Sequence, residues 1–180
     1  MLQLRVTKYN PKFRHEDGGY LKDEWTSVSD VGRIYDGKPF NYKEYLRIED
    51  AYVAVINRFL SSQNIKSMVI SYYESGNGDD HVPTVIKIQR PVGQKKLKRG
   101  SRLSKRFISL CARRVLRETC WCKLESDRGA FIHFGWDYYM YFGCSKSVPL
   151  NQLSTEDTYL EERMSPYFMP ETSPRRIWIK

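Results

Sequence analysis

His133, Asp137 and Cys144 are the residues of this chain whose types and spacing come nearest to a catalytic set: a base, an acid to orient it and a thiol within one short stretch. Nothing in the sequence fixes their geometry, and a lone histidine on an aromatic strand ordinarily serves as a hydrogen-bonded core or edge residue. His15 in "RHEDGG" and His81 in "GDDHVP" lie in acidic, polar turns, and three dispersed histidines make no metal-site pattern. Cys111, Cys120, Cys122 and Cys144 follow neither a disulfide framework nor paired C-x-x-C spacing, so they read as free thiols. Cys120 and Cys122 are two apart and would share one face of a strand, as a metal pair or, more simply, as small buried apolar residues. The expectation is a protein with no catalytic residue, no metal and no cofactor.

Charge gives a second chemistry. The 180 residues carry a formal +9, and the excess is local: Lys87 to Lys123 holds thirteen Lys and Arg against Glu118 alone, while the rest of the chain is net acidic. A block of that kind attracts a polyanion, whether nucleic acid or an acidic protein face. Lys95, Lys96, Lys98, Arg99, Arg102, Arg106, Arg113 and Arg117 are expected to form a continuous cationic strip, since arginine makes bidentate contacts to phosphate or carboxylate. A solvated loop beside a charged helix face accounts for the same residues. No phosphate-cradling glycine loop, dinucleotide fingerprint or zinc-finger spacing decides between the partners.

The stretch 131–143, "FIHFGWDYYMYFG", is the third signal, with seven aromatics in thirteen residues. On strands Phe131 and His133 point one way and Ile132 and Phe134 the other; Tyr138, Met140 and Phe142 similarly oppose Tyr139 and Tyr141. Both faces therefore carry rings. Helices can cover one; the other must meet the long loop, the C-terminal tail, a partner or a ligand. Cross-strand packing explains such rings at roughly 0.2–1 kcal/mol per pair, and a recognition surface explains them too, because Tyr and Trp dominate binding hot spots. A base-stacking platform lacks the Lys/Arg-Gly-Phe pattern that accompanies it in RNA binders.

These residues need elements to position them. "LQLRVTKY" alternates as a first strand ending at Asn10-Pro11, and 11–40 reads as a long ordered loop with a turn of helix after Ser29. Asn41 and Glu44 form a capping-box pattern that opens a helix running to about Ser61–Asn64. "SMVISYY" reads as a second strand and "TVIKIQR" as a third. "PVGQKKLKRGSRLSKR" is the strongest disorder candidate and leads into a helix over about 103–118 whose arginines oppose its apolar stripe. "CWCKLES", "SDRG" and "AFIHFG" make a hairpin, "YYMYFG" a further strand, Pro149 starts a short helix, and "TYLEERM" supplies an edge strand. Ile177, Trp178 and Ile179 suggest that the tail docks. The sum is a single α+β domain over 1–180, an antiparallel sheet of five to six strands with two main helices on one face. No apolar run reaches the ~18 residues of a membrane span and the opening lacks a secretory h-region, so the chain reads as cytoplasmic with no membrane contact.

At "KYNPKFRHEDGGYLKDEWTSVSDVG", "YKEYLRIEDAYV", "WCKLES" and "FIHFGWDYYMYFG" the chain resembles bacterial immunity proteins of contact-dependent growth inhibition and similar polymorphic toxin systems. The resemblance covers most of the chain outside the basic block. It implies a non-enzymatic inhibitor that binds a cognate toxin domain tightly, over its active site or substrate face. Many such toxins are basic nucleases with acidic inhibitors, so a +9 chain departs from the pattern. Trp25, Asp30, Trp136, Tyr138, Tyr139 and Tyr141 are the expected partner contacts, with a nucleic-acid binder working through the basic block as the alternative.

Overall fold

The computed structural model describes residues 1–76, 78–92, 96–146 and 148–168. Its strands are β1 (Leu2–Thr7), β2 (Ile34–Tyr35), β3 (Lys38–Pro39), β4 (Ser67–Ser75), β5 (Arg102–Ser104), β6 (Cys120–Glu125), β7 (Phe131–Phe134), β8 (Met140–Cys144) and β9 (Tyr159–Glu162). The helices are α1 (Tyr42–Ser62), α2 (Thr84–Gln89), α3 (Lys105–Leu116) and α4 (Leu150–Leu153). Seven strands form one antiparallel sheet in the order β5-β4-β6-β7-β8-β1-β9, and β2-β3 is a separate hairpin within the 11–40 loop.

Period-two alternation decides which side chains share a face. In register, Leu4, Phe142, Ile132, Leu124 and Ile70 make one row across the sheet, and it is buried against α1 and α3. Phe59 of α1 stacks on Phe142 at 4.3 Å, and Cys111 of α3 lies 3.5 Å from Cys122. All four cysteines are free and buried. The fold is thus α+β with its two main helices on one face, as the sequence predicts, but with seven strands rather than five or six.

Local chemistry sets the helix ends. The Asn41 carboxamide accepts from the Lys43 and Glu44 amides, opening α1 where the sequence places it. Asn64 takes a positive φ of 52° and the Ile65 N–H bonds back to Leu60, closing it; Glu118, at 59°, closes α3 in the same manner through Thr119 and Arg114. Two expectations fail. "TVIKIQ" is a helix, not a third strand: Pro83 stands before it, and alternation over six residues does not separate the two structures. Residues 102–104 belong to the edge strand β5, so the basic helix starts at Lys105. Of the 91–101 segment expected to be poorly ordered, residues 93–95, Lys95 among them, lie outside the described residues, whereas Leu97 is buried and Lys98–Ser101 form a hydrogen-bonded turn. Ile177, Trp178 and Ile179 also fall outside the described residues.

The second face of the sheet carries the row Glu161, Arg5, Tyr141, His133, Lys123 and Tyr72. Its cover is the chain's own segment 163–168. Ser165 N–H donates to Gln3 Oε1 at 2.8 Å, and Lys123 Nζ donates to the Tyr167 carbonyl at 2.9 Å. The Tyr167 ring meets Trp121, His133 and Tyr141, while Phe168 stacks on Phe131. Phe131 in turn lies flat across Gly143, where any Cβ would overlap its ring.

Candidate partner-binding end

The end of the sheet where β1 finishes and the β7–β8 turn begins also holds the 11–40 loop. Arg14 anchors that loop by donating to the Tyr139 hydroxyl at 3.2 Å, and Leu21 N–H bonds to the Phe13 carbonyl, folding 13–21 back on itself. Ser27 and Asp30 make a reciprocal cap around the short 3-10 helix Val28–Asp30, the Asp30 carboxylate accepting from the Thr26 and Ser27 amides. Trp25 stacks on Phe40 at 4.3 Å and meets Tyr138 edge-on at 4.8 Å, so the loop brings its own piece of core.

Between this loop, the start of α1 and residues 156–159 lies an open cleft of about 390 Å³. Six carboxylates line it, from Asp23, Glu24, Asp36, Glu44, Glu156 and Asp157, against the four bases Lys8, Lys22, Lys38 and Arg47. Two of those bases are already engaged: Lys8 with Glu24 at 2.9 Å and Arg47 with Asp157. Lys8 is buried, with its ammonium 4.2 Å from the Tyr9 ring centre and 4.1 Å from that of Trp25. Burial lowers its pKa, opposed by the Glu24 contact. Negative charge therefore dominates a cleft on a chain that is positive overall.

Exposed apolar side chains gather at the same end. Of eight large exposed hydrophobics among the described residues, Phe13, Leu21 and Ile34 stand on the 11–40 loop, and Trp136, 79% exposed, tops the β7–β8 turn. That turn is strained: Asp137 and Tyr138 both hold positive φ, at 52° and 60°. Tyr138 keeps the conformation because its hydroxyl donates to Leu116 O at 2.8 Å and its own carbonyl accepts from Tyr52. The buried Tyr138 ring fixes the turn so that Trp136 stands out to solvent.

The expected partner contacts are redistributed accordingly. Trp136 is exposed and Tyr139 half-buried, but Trp25, Asp30, Tyr138 and Tyr141 are buried and serve packing or capping. Large aromatic side chains beside a core loop are drawn inward by the area they bury, and Trp25, an apolar side chain of the 11–40 loop that needs burial, finds it at 5% exposure. Leu21 and Ile34, apolar residues of the same loop for which the sequence predicts burial, stand exposed instead.

The cationic strip is broken in the same way. Arg117 is 1% exposed and donates from Nε to Glu49 at 2.6 Å; Arg113 binds Glu49 and Asp50; Arg102 pairs with Asp127. Lys96, Lys98, Arg99 and Arg106 remain exposed with no ion pair among the described residues. His133 is buried, stacked 4.2 Å from Phe131, with Nδ1 2.9 Å from Ser165 Oγ, and desolvation with nearby Lys123 holds its pKa down at about 3. It meets neither Asp137 nor a thiol in a cavity. Among the described residues no group of three or more His, Cys, Asp or Glu is placed to hold a metal ion, and no helix is long and apolar enough to cross a membrane. No family model, curated protein or solved structure matches the chain.

Proposed function

We propose that this chain is a non-enzymatic protein-binding module, an immunity protein that neutralises a cognate toxin domain through the end of the molecule bearing the acidic cleft. The observation that carries the reading is the juxtaposition of six cleft carboxylates with exposed Leu21, Ile34 and Trp136 on tightly held loops. An apolar anchor beside a charged rim is the anatomy of a specific interface. The cleft supports the reading despite the net charge of +9, since its six carboxylates outnumber its four bases and would complement a basic face of the toxin.

Co-expression with the toxin domain encoded by the adjacent reading frame tests this. The wild-type chain is expected to co-purify with that domain and to protect cells expressing it. Trp136→Ala is expected to weaken capture by about 2 kcal/mol, roughly thirtyfold, as a hot-spot residue does, and its melting temperature should stay near wild type because an exposed side chain contributes little to stability. Neither capture nor protection by the wild-type chain would remove the reading.

A further inference from the structure

Lys98, Arg99 and Arg102 follow one edge of the sheet, flanked in sequence by Lys96 and by Arg106 at the start of α3, with Arg102 paired to Asp127, and all lie far in sequence from the acidic cleft. We infer that this edge is a second binding surface, for the phosphate backbone of nucleic acid. Among the described residues β5 pairs only with β4, so its outer side is the margin of the sheet. The turn at Lys98–Ser101 is pinned to β4 by Gly100 N–H to Ile70 O at 2.8 Å and Ile70 N–H to Ser101 O at 2.9 Å, which sets Lys98 and Arg99 beside Arg102. Immediately after β5, α3 begins without a side-chain cap, and its first turn carries Lys105 and Arg106 and no acid. Cations at the positive end of a helix repel it by the reverse of the usual preference, so this arrangement costs stability and is relieved by a bound anion.

Two features favour a polyphosphate over an acidic protein. Protein interfaces need a desolvated apolar centre, and no large hydrophobic side chain between Lys96 and Arg106 is exposed. Residues 96–106 expose no aromatic ring for stacking bases, and Tyr72, the exposed ring farther along β4, is engaged edge-on by Trp121 at 5.2 Å. What it offers is charge alone, which suits sequence-independent contact with a phosphodiester backbone. Guarding a three-residue edge strand against pairing takes a charge or two, not the four cations Lys96, Lys98, Arg99 and Arg106, which have no ion pair among the described residues.

The test is fluorescence anisotropy of the full chain with a labelled random-sequence duplex of about twenty base pairs, across a salt series starting near 50 mM. Binding is expected to weaken linearly in log–log form with a slope near −4, about 0.9 per phosphate neutralised. The triple variant K98E/R99E/R106E should lose at least tenfold in affinity and flatten the slope by about three, with circular dichroism confirming that it stays folded. Absence of binding at the lowest salt would overturn the inference, as would a triple variant that binds like the parent. Displacement of the duplex by poly-glutamate at equal charge concentration would show an acidic polypeptide to be the ligand and overturn it too. Because no toxin domain enters this experiment, its outcome is independent of the immunity reading.

Discussion

His133 illustrates how much of a residue's chemistry is set by what covers it. Its ring lies between Phe131 and the Tyr167 edge, bonded to Ser165 Oγ, with Tyr141 and Lys123 as its neighbours in register; Lys123 is the nearby charge that opposes protonation. Its folded pKa of about 3 lies below the ordinary 6.5. Between those values only the unfolded chain takes up the proton, so its contribution to stability is whole above pH 6.5 and is lost as pH falls toward 3, at up to about 1.4 kcal/mol per pH unit. His133→Gln is expected to flatten the stability curve between pH 6 and 4 in urea titrations; an unchanged slope would show that other groups set the acid limb. The sequence made His133 legible as a core histidine from its aromatic strand. The segment that closes over it is more than thirty residues away, beyond the reach of local pattern.

At the scale of elements, α1 and α3 are joined by an ionic lock that helical projection could not foresee. Arg113 and Arg117 oppose the apolar stripe of α3, which is why they read as solvent-facing. Glu49 and Asp50 on α1 meet them there, Glu49 being fully buried and accepting also from Tyr45, while Asp50 holds Arg90 in a two-point contact. Glu49→Leu is expected to destabilise the fold by about 3–5 kcal/mol, because two guanidinium groups would lose their buried partner. Adding Arg117→Met should recover part of that loss, and chemical denaturation of the single and double variants measures the recovery. α1 itself was legible nearly to its termini, since a cap residue and a long apolar period agree over 21 residues. α2 was not, because six residues do not carry enough period to choose a structure.

At the scale of the whole molecule, the sheet is enclosed by helices on one side and by 163–168 on the other. A chain ending at Glu162 would uncover Phe131, His133, Tyr141 and Trp121, each packed by Tyr167 or Phe168 or, for His133, also bonded to Ser165. Such a chain is expected to bind a hydrophobic dye and to lose a few kcal/mol, given roughly 0.5–1.5 kcal/mol for each ring pair beyond area burial. A dye-silent truncation with wild-type melting would mean that the segment adds nothing. The fold class was readable because the strands alternate and the turns carry glycine and asparagine; the surface was not, because which rings stay outside depends on contacts between distant segments.

The place of β1 has a consequence for synthesis. It is made before the other strands of its sheet, yet its neighbours β8 and β9 lie at 140–144 and 159–162. At ~5–20 residues per second a ribosome needs on the order of ten seconds to supply them. During that interval Leu4 and Val6 have no sheet to join, so the growing chain must keep β1 from pairing wrongly until residues 140–162 emerge.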